Sequence, residues 1–175
     1  MIKQRKPQLI FPLLTAIGVV LLAVWGFYAL TTGDPLWFRP MPERSYIFDR
    51  IVIHHYGAMT EVQSDSDEFL DLEAALNQAL GRFRGRVPVG LSNATLEDYY
   101  LKEFVIELLF SSDIGPTIGL SDTRVNHLLI PIDGRHSGNR FVFVGNNDEW
   151  LASALIMEDP QPIFTVLDEL GYSAK

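Results

Sequence analysis

The sequence predicts an α+β fold carried behind a single N-terminal transmembrane helix. Three observations point there: an uncharged apolar run at residues 9–30, several short runs rich in β-branched and aromatic residues, and two segments whose apolar residues recur at intervals of three and four. Short connections between the strands imply an antiparallel sheet. About two helices packed on one of its faces would complete the domain.

The first run, LIFPLLTAIGVVLLAVWGFYAL, contains 22 residues and no charged side chain. As a helix it would measure ~33 Å, against a hydrocarbon core of ~30 Å. Pro12 falls in its first turn, where a missing N–H costs little. The run exceeds the apolar region of a secretory signal, and no A-x-A site follows it, which favours an uncleaved signal-anchor. Lys3, Arg5 and Lys6 precede it, whereas the first charge after it is Asp34. The positive-inside rule therefore places the N-terminus in the cytoplasm and the remainder outside the cell membrane. Trp25, Tyr28, Trp37 and Phe38 suit the aromatic belt at the lipid–water boundary. Thr15, Gly18, Gly26 and Ala29 share one narrow helical face, small enough for a second helix to approach. The chain thus divides into a cytoplasmic tail at 1–8, a transmembrane helix at 9–30, a juxtamembrane linker at 31–45 that its prolines keep extended, and an extracytoplasmic domain at 46–175.

Within that domain, residues 47–55 (IFDRIVIHH) read as a strand, which Tyr56-Gly57 turns into a second run at 59–63. The period then changes. Phe69, Leu72, Leu76, Ala79, Leu80 and Phe83 form a helical stripe, with Ser64 or Ser66 as N-cap and acidic residues in the first turn. Arg82, Arg84 and Arg86 lie near its expected end, and Gly85 is the expected stop. Residues 87–95 read as a loop in which Thr95 caps a short helical turn, followed by a strand at 104–110. Residues 125–132 and 140–145 are the clearest strands and should pair antiparallel across the turn-rich 133–139, with Pro131 marking an edge or a bulge. A turn at 146–148 leads to a strand at 151–157. A last helix begins near Asp159 and Pro160, presents Ile163, Val166, Leu167 and Leu170, and stops at Gly171.

Composition narrows the chemistry. The chain has no cysteine, which excludes disulfides, thiolate metal sites, a cysteine nucleophile and an acylated lipid anchor. Residues 31–175 hold all 22 acidic residues and 11 basic ones, a net charge of −11 that argues against nucleic acid as a partner. His54 and His55 are adjacent on a strand and point to opposite faces. A metal site would therefore draw on His54, His127 and His136 from separate elements, without any H-x₃-H or H-E-x-x-H spacing. Asp133, Arg135 and His136, beside flexible glycines, are the best cluster for acid–base catalysis, although a polar hairpin tip accounts for them better. The run at 64–68 resembles a calcium loop only superficially, since a helix N-terminus explains its charges. No G-x-S-x-G, S-x-x-K, P-loop or G-x-G-x-x-G occurs. Asn93-Ala94-Thr95 is a glycosylation sequon in a host that uses one.

Taken together, the residues predict a non-catalytic accessory subunit or interaction module, without metal or cofactor, whose partners are the lipid bilayer and another membrane or extracytoplasmic protein. The alternatives are an extracytoplasmic sensor or ligand-binding domain, and a membrane-anchored hydrolase.

Overall fold

The computed structural model describes residues 10–32, 44–147 and 149–173, with side chains in the first helix described over 12–27. The chain divides into two units, Met1–Pro42 and Glu43–Lys175. The described part of the first is helix α1, Ile10–Thr32. Its apolar side chains surround the axis rather than forming a stripe: Leu13, Leu14, Val19, Val20, Leu21 and Leu22 are all about 60% exposed or more. Among the described residues no helix is long and apolar enough to cross a membrane. Of the expected interfacial aromatics, Trp25 lies on α1 and is exposed. The side chain of Tyr28, and Trp37 and Phe38 entirely, fall outside the described residues.

The second unit is α+β, with one seven-stranded antiparallel sheet. In chain order its elements are β1 Arg50–His55, β2 Ala58–Val62, α2 Asp67–Leu80, β3 Phe83–Val87, α3 Asn93–Lys102, β4 Phe104–Leu109, β5 His127–Pro131, β6 Phe141–Asn146, β7 Glu149–Met157 and α4 Gln161–Glu169. From one border to the other the strands run β2, β1, β4, β5, β6, β7, β3. The β1–β2 hairpin turns on two residues, Tyr56 and Gly57, at φ 51° and 89°. Positive φ at both central positions is what a tight hairpin demands. Gly57 has a second reason to lack a side chain, because a Cβ there would stand 3.0 Å from the carbonyl oxygen of Leu101.

Alternation sorts the strand residues onto two faces. Ile51, Ile53, Ile106, Leu108, Leu128 and Ile130 join Phe69, Leu72, Leu76 and Leu80 of α2 and Ile163, Val166 and Leu167 of α4 in the larger core. Val105, Leu129, Phe143 and Ala154 point the other way and meet Tyr99 of α3 in a smaller one. Helices therefore cover both faces, where the sequence predicted one. Patterning revealed the apolar stripes of α2 and α4 but not the side on which α3 docks.

Helix α2 starts at Ser66, whose Oγ accepts from the Phe69 amide at 3.1 Å. It ends at Gly81, four residues before the predicted stop. The arginine-rich segment expected to close it is instead strand β3, paired with β7 through a bulge between Phe83 and Gly85. That bulge explains the misreading. In a regular strand Phe83 and Val87 would share a face, but the extra residue reverses the phase, so Phe83 packs on the larger core and Val87 on the smaller.

Three local expectations are also corrected. Ser92, not Thr95, caps α3, its Oγ accepting from the Thr95 amide at 3.2 Å. Pro131 is neither at a border nor in a bulge: β5 lies in the middle of the sheet, and Pro131 sits beyond Leu129, where pairing with β6 has already ended. Its missing N–H therefore interrupts no ladder on that side. At the last helix the N-cap position falls on Pro160 rather than the predicted Asp159, whose Oδ1 accepts from the Gln161 amide at 3.0 Å from one residue further out, and Gly171 follows at φ 84°.

Candidate functional site

Strand register brings together a group that spacing along the chain conceals. In the β1–β4 pair Val52 faces Glu107 and His54 faces Val105; in the β4–β5 pair Glu107 faces Leu129 and His127 faces Leu109. His54, Glu107 and His127 are thus diagonal neighbours on one face of the sheet, within reach of long side chains. His54 Nε2 lies 3.0 Å from Glu107 Oε2, and His127 Nε2 lies 3.4 Å from Oε1. The Tyr100 hydroxyl donates to Oε1 from α3. The three side chains are 9%, 12% and 13% exposed, so solvent screens them little.

Aromatic rings close over both histidines. The Tyr100 ring lies 4.5 Å from that of His54, and the Trp150 ring 4.5 Å from that of His127. His127 Nδ1 lies 3.0 Å from the carbonyl oxygen of Asn147, and its Nε2 faces the Glu107 carboxylate. Burial works against ionisation of Glu107, but hydrogen bonds from His127, His54 and Tyr100 outweigh it and hold the carboxyl well below the usual range. A carboxylate kept ionised and engaged on both oxygens is poorly suited to trade protons at neutral pH. Its chemistry is that of a polar tie joining β1, β4, β5 and α3.

The other candidates separate. Tyr56 Oη donates to Asp133 Oδ2 at 2.5 Å. Arg135 turns to α3, with Nη2 3.4 Å from Asp98 Oδ2 and Nη1 3.4 Å from Thr95 Oγ1, while its amide donates to Glu103 Oε2. His136 Nδ1 meets the Tyr99 hydroxyl and its ring abuts Phe143. Burial, with the charge of Arg135, lowers the pKa of His136, and burial raises that of Tyr99. Three adjacent residues thus serve three different partners. Gly134 makes this possible: at φ 93° it passes so close to Glu103 that a Cβ would overlap the carboxylate. His54 and His127 converge on Glu107, but His136 stands apart. Among the described residues no three His, Asp or Glu side chains are arranged to hold a metal ion.

His55 points away from His54, as alternation requires, with its ring 4.8 Å from Phe104. The acidic run at 64–68 supplies the α2 cap and, with Asp49 and Glu61, lines an open depression of about 420 Å³. Glu107 is the residue sequence reasoning missed. Its signal was a lone carboxylate inside the apolar run FVIELL, on a strand due to pair near histidines.

No protein-family model matches the chain, and no curated protein matches it in sequence. Among solved structures, that of YycH from Bacillus subtilis is similar, with a TM-score of 0.50 and 15% sequence identity. The likeness covers 76% of this chain and 38% of YycH, so the chain spans well under half of that protein. At this identity the shared feature is the fold.

Proposed function

We propose that the chain is a single-pass, membrane-anchored accessory subunit whose α+β domain binds another membrane or extracytoplasmic protein without catalysing a reaction. Residues 1–8 form a cytoplasmic tail, 9–30 the membrane helix, 31–45 a linker seated at the interface by Trp25, Tyr28, Trp37 and Phe38, and 46–175 the displayed domain. The observation that carries the reading is α1: over its described side chains it is apolar on all sides, and such a helix requires an apolar surrounding. Its charge asymmetry supports the orientation. The domain supports the non-catalytic part, because His54, Glu107, Arg135 and His136 are tied to neighbouring side chains rather than aimed at an open cleft.

The absence of cysteine gives a direct test. Single-cysteine variants at Gln4 and Ser137 are treated in intact cells with a membrane-impermeant maleimide. The expected result is labelling at Ser137→Cys without lysis and at Gln4→Cys only after lysis, with the protein resisting a carbonate wash. The reverse pattern, or release by carbonate, overturns the topology. A full chain that runs as a lone monomer in mild detergent and keeps no partner after crosslinking overturns the accessory role.

A further inference from the structure

One border of the sheet differs from the rest of the domain. Strand β3 is paired with β7 on one side, and among the described residues no strand pairs with the other. Its free side therefore presents alternate backbone N–H and C=O groups to any extended chain that approaches. Arg82, Arg84 and Arg86 stand along it, all exposed. Three basic residues elsewhere are neutralised locally: Arg50 pairs with Glu61, and Lys102 and Arg135 pair with Asp98. No ion pair among the described residues includes any of the three arginines of the β3 border. A fourth guanidinium is near, since Arg140 Nη1 donates to the carbonyl oxygen of Glu158 at 3.1 Å, and the Glu158 amide donates to that of Arg82 at 3.2 Å. Residues 31–175 carry a net charge of −11, yet three of their 11 basic residues fall within five positions and stay unneutralised.

We propose that β3 is a docking edge for an extended acidic segment of a partner protein, which adds to the sheet as an eighth strand. The backbone of β3 supplies the ladder, and the arginines bind carboxylates on the incoming segment, Arg being suited to paired hydrogen bonds with them. Charged edges also protect sheets from self-association, and the same arginines do so here: a second copy of β3 would set Arg against Arg. That repulsion excludes pairing of β3 with β3 and favours an acidic strand. A nucleic acid offers no peptide groups for the ladder, and the acidic domain repels a polyphosphate. The proposal rests on the accessory-subunit reading and names the surface that serves it.

The test uses the full chain in mild detergent and, as probe, a capped peptide of alternating Glu and Thr. The expected result is slowed amide exchange at residues 83–87, with binding weakened roughly tenfold or more by Arg84→Glu with Arg86→Glu. A Lys–Thr peptide should bind the charge-reversed variant in preference to the parent chain. Both positions are exposed, so an unchanged circular dichroism spectrum separates lost docking from lost fold. Absence of peptide binding, protection away from β3, or binding indifferent to charge reversal overturns the proposal, as does binding of phosphatidylglycerol vesicles in place of peptide. If a partner crosslinks equally to the parent and to the charge-reversed chain, the edge assignment fails while the accessory role stands. If nothing crosslinks to either, the accessory role itself fails.

Discussion

On one face of the sheet, Ile51, Ile53, Phe104, Ile106, Leu108 and Leu128 meet α2 and α4 in a core that is almost wholly hydrocarbon. The buried hydroxyl there, that of Tyr46, donates to the Leu80 carbonyl at 3.3 Å, and burial pushes its pKa up to about 12. On the other face the apolar patch under α3 is smaller and runs directly into Glu107 and its two histidines. The first face gains stability from area removed from water, which depends little on the positions of individual atoms. The second depends on a few polar atoms being in place, since an unpaired buried charge costs several kcal/mol. Swapping apolar side chains should therefore be tolerated on the first face and polar changes should be felt on the second.

Neighbouring leucines on β5 test the comparison directly. Leu128 points into the larger core and Leu129 into the smaller, and both are fully buried. Leu128→Ala is expected to cost about 4 kcal/mol and Leu129→Ala about 3 kcal/mol in urea unfolding, because the smaller core, rimmed by half-buried residues, relaxes more readily around the cavity. Equal losses, or a larger one at Leu129, would break the ranking of the two faces.

Replacing Glu107 by Gln keeps the shape and removes the charge that His54, His127 and Tyr100 address. A loss of about 2 kcal/mol at neutral pH is expected, with changed imidazole resonances of both histidines in NMR spectra. The pH dependence has a definite sign. The folded carboxyl lies below its ordinary value of 4.5, so its contribution is complete above that value and fades as pH falls through the folded pKa. The variant should therefore show a flatter acid limb than the parent chain. An unchanged limb would mean that the tie carries no net charge stabilisation.

Much of this architecture was legible in the sequence, and the omissions share one cause. The β1–β2 hairpin, α2, the β5–β6 pair and α4 each carry a local periodicity or cap that needs no knowledge of distant contacts. Strand β3 was hidden because a bulge reverses the alternation between Phe83 and Val87, leaving Arg and Gly to read as a helix terminus. The polar tie was hidden because it is a property of register: 53 residues separate His54 from Glu107 in the chain, and only the strand order makes them neighbours. The histidines were visible as candidates, but the carboxylate that joins them was not. The cap of α2 was legible at Ser66, whereas at α3 the neighbouring Thr95 obscured Ser92. Ser66→Ala, which removes the acceptor for the Phe69 amide, should accordingly cost about 1 kcal/mol in the same unfolding experiment and leave both cores packed.

His136 sets the lower end of the scale, at the rim of the smaller core between the Tyr99 hydroxyl and the Phe143 ring. Burial and then the charge of Arg135 lower its pKa below 6.5, while Glu103 pulls the other way. With the folded value depressed, the unfolded chain takes up the proton first as pH falls. Stability is therefore complete above 6.5 and declines below it until the folded imidazole is also charged. His136 is half-buried, so the decline should be smaller than the acid effect at Glu107. Subtracting the stability curve of His136→Asn from that of the parent chain isolates it from His54, His55 and His127. Should the two curves run parallel across this range, the rim of the smaller core would be as indifferent to charge as open solvent, and the polar character of that face would be confined to Glu107 and its immediate partners.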